Sequence, residues 1–183
     1  MTTALLLMDF QNSILAGRPG AEPAAAAAKR ALAAARDAGI PVVFVRVGFR
    51  AGMPEVSARN KSFGAAKASG AVLDETAPAT QIVDALSPLP DEPVVVKRRI
   101  GAFASDLAVV LSGLGTTDLV LAGISTSGVV LSTIRDAADR DFGLTVLHDA
   151  CFDADDEVHR VLTQKVFPRQ AEVVSTEEWI ASL

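Results

Sequence analysis

The chain has 183 residues, half of them hydrophobic and 21% charged, which is typical of one globular domain over residues 1–183 and excludes a disordered chain. Its net charge of −5, without a cluster of basic residues, argues against nucleic-acid binding. The one cysteine, Cys151, excludes an internal disulfide and agrees with a reducing cytoplasm.

Two apolar segments bear on targeting and membranes. The N-terminal MTTALLLMDFQ has no basic region and its apolar run ends at Asp9, so it is not expected to be a signal peptide. Residues 119–134 are the longest strongly apolar uncharged stretch, and they are too short and too rich in Gly, Ser and Thr to span a membrane. We therefore expect a cytoplasmic protein with no membrane partner.

Short apolar runs alternate with helical patterns along the chain. The predicted strands are residues 4–8, 41–47, 93–96, 118–122, 144–147 and 171–174. The predicted helices are residues 21–38, 107–114, 129–140, 155–166 and 176–182, and residues 48–80 are the longest irregular segment. Six non-alternating strands separated by helices predict an α/β fold, a doubly wound three-layer α/β/α sandwich on a six-stranded parallel sheet.

In such a fold the ligand site lies beyond the carboxyl ends of the strands, near the point where the strand order reverses. Polar residues follow the first four predicted strands: Asp9 and Gln11, then Arg50, then Lys97 and Arg99, and finally Ser125 and Thr126. Asp9 and Lys97 are the pair best suited to chemistry, because a lysine there would hold the carboxylate ionised or help to return a proton. Taken singly, each has an ordinary explanation, since a strand-end Asp often caps a turn and a strand-end Lys often points into water.

Common catalytic and metal-binding signatures are absent from the sequence. The GxGxxG and P-loop patterns are missing, and His148 and His159 do not form a zinc-binding pattern, so no cofactor and no metal are expected. Residues 123–128 (GISTSG) exceed the GxSxG pattern of serine hydrolases by one residue. The five carboxylates of residues 149–159 lack calcium-loop spacing, and Asp153 is expected to cap the helix that follows.

Several segments resemble one known family when they are taken together. They are residues 6–12 (LLMDFQN), Lys97 with Phe103 and Leu107 behind it, residues 121–128 (LAGISTSG), and residues 132–137 and 149–150. In this combination the chain resembles the isochorismatase-like superfamily of cysteine hydrolases. The resemblance implies the same three-layer α/β sandwich, hydrolysis of a small-molecule substrate, and a homodimer or higher homo-oligomer.

The resemblance also assigns catalytic positions. Family members use an Asp, a Lys and a Cys; the first two correspond to Asp9 and Lys97, whereas Val129 occupies the position of the Cys. A valine cannot form a thioester, and Cys151 lies elsewhere, after the fifth predicted strand, where a free Cys is simply buried. The resemblance further implies a cis peptide at Ile124–Ser125, with an oxyanion hole formed by the N–H groups of Ser125 and Val129.

Two functions remain open from the sequence. The first is a hydrolase that uses Asp9 and Lys97 without a covalent step; true isochorismatases, by resemblance, also lack the Cys and use the Asp as proton donor to a vinyl ether. Its substrate would be small and carboxylate-bearing, and the expected binding residues are Gln11, Arg50, Arg99, Phe103, Ser125 and Thr126. The second is a catalytically inactive family member that binds a small molecule or a partner. Residues 41–97 contain no His, so a nicotinamidase-like metal site is not expected.

Overall fold

The structure, a computed structural model, describes residues 2–183. Its strands are β1 (Thr3–Met8), β2 (Val42–Val47), β3 (Val94–Lys97), β4 (Asp118–Ile124), β5 (Gly143–Phe152) and β6 (Glu172–Val174). Its helices are α1 (Asn12–Ala16), α2 (Glu22–Asp37), α3 (Lys61–Ala68), α4 (Leu107–Gly113), α5 (Leu131–Ala138), α6 (Asp156–Val161) and α7 (Thr176–Ala181). Across this described range, no helix is both long enough and apolar enough to cross a membrane.

All neighbouring strands are parallel, and their order in the sheet is β3-β2-β1-β4-β5-β6. The chain therefore builds outward from β1 to β3, returns to the middle with β4, and builds outward again to β6. The strand order reverses between β1 and β4, which is where a ligand site forms in this architecture. The predicted doubly wound α/β sandwich is confirmed.

Alternate residues of the central strands pack into two hydrophobic clusters, one on each face of the sheet. Leu6 of β1 and Leu121 of β4 lie in the cluster that α4 and α5 cover. Leu5 and Val120 lie in the cluster that α2 and α7 cover, where α2 presents a face of small alanines to the sheet. Burial on both sides of each strand explains the continuous apolar runs in the sequence, and each fully buried leucine contributes about 1.5–3 kcal/mol.

Five local predictions are wrong. The strand predicted at residues 144–147 is β5, which continues through Phe152 because its register against β4 shifts between Leu121 and Gly123. Cys151 consequently lies within β5, paired with Gly123, rather than after the strand. The helix predicted from residue 129 is preceded by one wide π-type turn, Thr126–Val130, and becomes α-helical at Leu131.

The remaining two corrections concern caps and loops. Asp155, not Asp153, caps α6, because its carboxylate accepts hydrogen bonds from the N–H groups of Glu157 and Val158. The segment predicted to be irregular contains α3, which begins where the Asn60 side chain accepts a hydrogen bond from Phe63 N–H.

Candidate active site

An ion pair between Asp9 and Lys97 lies at the carboxyl ends of the strands. Asp9 directly follows β1 and Lys97 ends β3, so the lysine side chain must pass the end of β2, which lies between them. Its Nζ lies 3.0 Å from Asp9 Oδ2 and also donates a 3.0 Å hydrogen bond to the carbonyl of Arg99. The side chains are 2% and 7% exposed, so both charges are removed from bulk water. The expected proximity of the two residues is confirmed.

The backbone at Asp9 turns sharply to aim its side chain. Its φ is +61°, in the left-handed region that is uncommon for a residue with a Cβ, although Asp adopts it more readily than most. The Asp9 N–H is held by the carbonyl of Val45, and its own carbonyl accepts from Gln11 N–H, both at 2.8 Å. A non-glycine residue in this region costs of order 1 kcal/mol or more, and such residues cluster at functional sites.

Burial changes the acidity of Asp9. Removal of the carboxylate from water raises its pKa from 3.8 to about 6, while the charge and hydrogen bond of Lys97 oppose that rise only in part. Only Oδ2 is paired; Oδ1 is buried and has no hydrogen-bond partner among the residues that the structure describes. The site therefore holds a carboxyl group able to carry a proton near neutral pH, with one oxygen available to a ligand.

The turn after β4 forms the opposite wall. The Ile124–Ser125 peptide is cis, as the resemblance implies. Ser127 N–H donates a 2.7 Å hydrogen bond to Asp153 Oδ2, which ties this turn to the segment after β5. Gly123 is required beside it, since a Cβ there would lie 2.9 Å from the Met8 carbonyl oxygen and 3.3 Å from Val129 Cγ1.

A cavity of about 190 Å³ lies between the ion pair and this turn. Asp9, Lys97, Ser125 and Val129 all line it, so the structure brings together four residues that the sequence singled out. Its other lining residues are Ile14, Arg18, Val47, Phe63, Ile100, Ile124 and Gly128. A larger cavity of about 380 Å³ lies at the amino ends of the strands, on the opposite edge of the sheet and away from the ion pair.

Two expected binding residues, Gln11 and Thr126, are fully buried outside the cavity lining. The Gln11 amide nitrogen donates to the carbonyls of Val47 and Thr80, at 2.8 and 2.6 Å, and its oxygen accepts from Val47 N–H at 2.8 Å. Thr126 Oγ1 lies 2.9 Å from His159 Nδ1. Both side chains therefore hold the walls of the site in place and do not face a ligand.

The other three expected binding residues also lie outside the cavity lining. Arg50 is exposed and pairs with Glu55 at 2.8 Å, and the Arg99 side chain donates to the Glu55 carbonyl at 3.0 Å. Phe103 packs against the ring of Phe142, and the Arg140 guanidinium lies 4.6 Å from its centroid. A position near the end of a strand thus does not determine the direction of a long side chain, because neighbouring groups bind it through hydrogen bonds or packing.

Sequence reasoning missed Ile14, Arg18, Phe63 and Ile100 as cavity residues. The chain that follows Asp9 runs along the same edge of the sheet. The proximity of Ile14 and Arg18 to the cavity could therefore have been predicted from their position shortly after Asp9. Phe63 could not be placed from the sequence, because it lies on α3, within the segment predicted to be irregular.

Neither a metal-binding cluster nor a reactive thiol is found among residues 2–183. Over residues 2–183, no group of three or more His, Cys, Asp or Glu side chains is arranged to hold a metal ion. Burial raises the pKa of the Cys151 thiol to about 12, so this thiol is unreactive at neutral pH.

Comparison with known proteins places this geometry in a family. A model of the isochorismatase domain family matches residues 3–178. The chain is 37% identical over 186 residues to the isochorismatase family protein YecD of Escherichia coli O157:H7, covering 100% of this chain and 96% of that protein. It is 34% identical over 207 residues to the ureidoacrylate amidohydrolase RutB of Pseudomonas syringae pv. syringae, covering 99% and 80%. An isochorismatase family structure from Burkholderia thailandensis superposes with a TM-score of 0.84 at 27% identity, covering 100% of this chain and 95% of that one.

Proposed function

Because this chain belongs to the isochorismatase family of hydrolases, we propose that it hydrolyses a small, carboxylate-bearing metabolite through Asp9 and Lys97, without a covalent thioester. In this proposal residues 1–183 act as one domain. The observation that carries it is the state of Asp9: its pKa is raised to about 6, and its buried Oδ1 has no partner among the described residues although Asp9 lines a cavity.

The valine at position 129 excludes a covalent mechanism at this site. We assign it to the position at which cysteine hydrolases of the family carry their nucleophile, because it lines the cavity beside Asp9 and Lys97. Its side chain offers no lone pair, and the buried Cys151 thiol is not among the cavity residues. Water is therefore the nucleophile, and the route needs a substrate that protonation alone makes reactive.

Acid-catalysed hydrolysis of a vinyl ether satisfies that requirement. Asp9 gives the proton on Oδ1 to the terminal alkene carbon, and Lys97 stabilises the carboxylate that remains. Water then adds to the cationic carbon, the resulting hemiketal expels an alcohol, and the proton that water lost returns to Asp9. The products are a ketone and an alcohol, so one water is consumed and no oxidant is needed. In this assignment the N–H groups of Ser125 and Val129 orient the substrate's polar atoms.

Two observations favour a substrate that carries a carboxylate. The cavity contains Lys97 and Arg18 against the single carboxyl group of Asp9, so its charge is positive whether or not Asp9 is ionised. Ureidoacrylate, which the RutB relatives act on by name, is itself a small carboxylate.

A catalytically inactive binder is the second candidate, and the observation that favours it is the size of the site. Val129 is 2% exposed and its β-branched side chain occupies part of a cavity of only about 190 Å³. On this alternative the same pocket binds a small molecule without turning it over.

Hydrolysis of 2-methoxyacrylate in deuterated water tests the proposal. The expected products are methanol and pyruvate that carries deuterium on its methyl carbon, both visible by NMR. Asp9→Asn is expected to lower the rate by about a hundredfold or more, since it removes the proton donor. Asp37→Asn, an equivalent change at an exposed carboxylate on α2, is expected to leave the rate unchanged.

A rate that survives Asp9→Asn would show that Asp9 is not the acid. If 2-methoxyacrylate and a panel of small carboxylate-bearing vinyl ethers and amides all stay intact, the binder is the better description.

A further inference from the structure

One charged side chain of the cavity has no role in the ion pair or the turn. Arg18 lies two residues after α1 and is exposed, so it stands at the open side of the cavity whose inner end holds Asp9 and Lys97. We propose that Arg18 determines specificity at this site by pairing with the carboxylate of a small ligand. This inference rests on the proposed function for the location of the site, but it concerns binding and not turnover.

The guanidinium of Arg18 has unused hydrogen-bonding capacity. Its one hydrogen bond goes from Nη1 to the carbonyl of Gly17, at 3.3 Å. No carboxylate oxygen of residues 2–183 lies within 4.0 Å of its nitrogens, whereas Arg36, Arg50 and Arg98 are each paired with a glutamate. A guanidinium has five N–H donors in a planar fork that fits a carboxylate with two parallel hydrogen bonds.

Lys97 is less suited to this task. Its ammonium group already bonds Asp9 and the Arg99 carbonyl, and it lies at the buried end of the site. A ligand carboxylate placed there would also meet the Asp9 carboxyl group. A carboxylate at Arg18 instead leaves the ligand's other end beside Asp9 Oδ1, which is the end that needs a proton.

Most of the other lining residues are apolar, with Ser125 as the polar exception. Ile14, Phe63 and Ile100 line the cavity along with Arg18, so they offer contact to a hydrocarbon body and little to a polar one. The cavity volume of about 190 Å³ lies below the usual range of about 300–1,000 Å³ for ligand pockets, which limits that body to a small ring or short branched chain. The ligand class is therefore a small acid with one carboxylate and an apolar body.

Binding of three acids, each compared with its methyl ketone, tests this assignment. The probes are benzoate, cyclohexanecarboxylate and isobutyrate, with acetophenone, cyclohexyl methyl ketone and 3-methyl-2-butanone as neutral counterparts of similar shape. Titration calorimetry at pH 7 is expected to show at least one acid binding about tenfold tighter than its ketone. Arg18→Gln is expected to abolish that preference without weakening the ketone, and Arg18→Lys to retain part of it.

Two variants make the result specific. Arg169→Gln removes the same charge from an exposed arginine just before β6, at the amino edge of the sheet, and is expected to bind like the unchanged protein. Asp9→Asn is expected to keep the preference for acids, because it leaves Arg18 in place. Since Arg18 makes only one weak local hydrogen bond, Arg18→Gln is expected to unfold at the same temperature as the unchanged protein.

Either of two outcomes overturns the assignment: no acid binds more tightly than its ketone, or the preference persists in Arg18→Gln. Failure of the proposed hydrolysis is a separate result. An acid preference that depends on Arg18, in a protein that hydrolyses nothing, identifies a binder whose specificity residue is still Arg18.

Discussion

Lys97 reaches past the end of a neighbouring strand to place its Nζ 3.0 Å from Asp9 Oδ2, so the two charges come from strands that do not touch. Both are buried, and the carboxyl group nevertheless has a pKa raised to about 6. Lys97 thus offsets only part of the rise in the Asp9 pKa that burial causes. The difference between these two effects determines the pH at which Asp9 is protonated.

Removal of the Lys97 ammonium group should raise the pKa of Asp9. Lys97→Met keeps most of the side-chain volume but removes the charge and hydrogen bond that lower the pKa of Asp9. We expect the pKa of Asp9 to rise above about 6, as measured by the carboxyl ¹³C shift during an NMR titration. A pKa that stayed the same or fell in this variant would show that Lys97 does not lower the pKa of Asp9.

Stability should depend on pH through the same group. The folded pKa of Asp9, about 6, exceeds its unfolded value of 3.8, so the folded state binds the proton more tightly. Its contribution to the free energy of unfolding is complete below pH 3.8 and is lost as pH rises through about 6. Urea unfolding at several pH values should show this loss in the native protein and not in Asp9→Asn.

Val129→Cys should create a reactive thiol. The new side chain would line the cavity beside Lys97, whose charge favours the thiolate, whereas the buried Cys151 thiol has a pKa of about 12. We expect iodoacetamide to modify residue 129 well before residue 151, as followed by mass spectrometry, with Val129→Ser as the control that has Cys151 but no thiol at residue 129. Equal rates at the two thiols would show that the site does not activate a thiol at residue 129.

Gln11 should matter for stability and not for ligand contact. Gln11→Met removes three hydrogen bonds to buried backbone groups and leaves Val47 N–H unsatisfied, at a cost of about 1–3 kcal/mol for that group. Gln164→Met, at an exposed position, should leave the free energy of unfolding nearly unchanged. Denaturant titration of the two variants distinguishes them, and equal stability would contradict the structural role.

Gly123→Ala should strain the centre of the sheet. Its new Cβ would lie 2.9 Å from the Met8 carbonyl oxygen and 3.3 Å from Val129 Cγ1, and such overpacking costs about 1–3 kcal/mol. Gly113→Ala at the end of α4 meets no atom within 4 Å and should be neutral or slightly stabilising. The comparison needs only the two melting temperatures, and an unchanged melting temperature for Gly123→Ala would show that β1 and β4 can move apart.

The architecture and the ion pair could be predicted because both depend on patterns that are visible in the sequence alone. Six apolar runs fix the layers, and the carboxyl ends of β1 and β3 fix where Asp9 and Lys97 emerge. The extension of β5 could not be predicted, since it follows from a register shift against β4 that involves two strands at once.

The lining of the cavity was harder to predict than the proximity of Asp9 and Lys97. Arg50 and Arg99 carry the expected charge, but Glu55 and its carbonyl hold them away from the cavity, and that pairing exists only after the loop has folded. That Arg18 lines the cavity could not be predicted, because its exact position depends on the short helix α1, which the sequence pattern does not indicate.

The strand order has a consequence for how such a site can diverge. Asp9 and Lys97, with the Val45 and Arg99 carbonyls that hold them, all belong to residues 2–99, whereas the turn that carries Val129 is anchored by Asp153 from the other half. The two halves of the sheet are joined only along the β1–β4 pairing. A replacement at residue 129 therefore leaves every hydrogen bond of the Asp9–Lys97 pair intact, so the side chain at this position can change while the buried ion pair stays as it is.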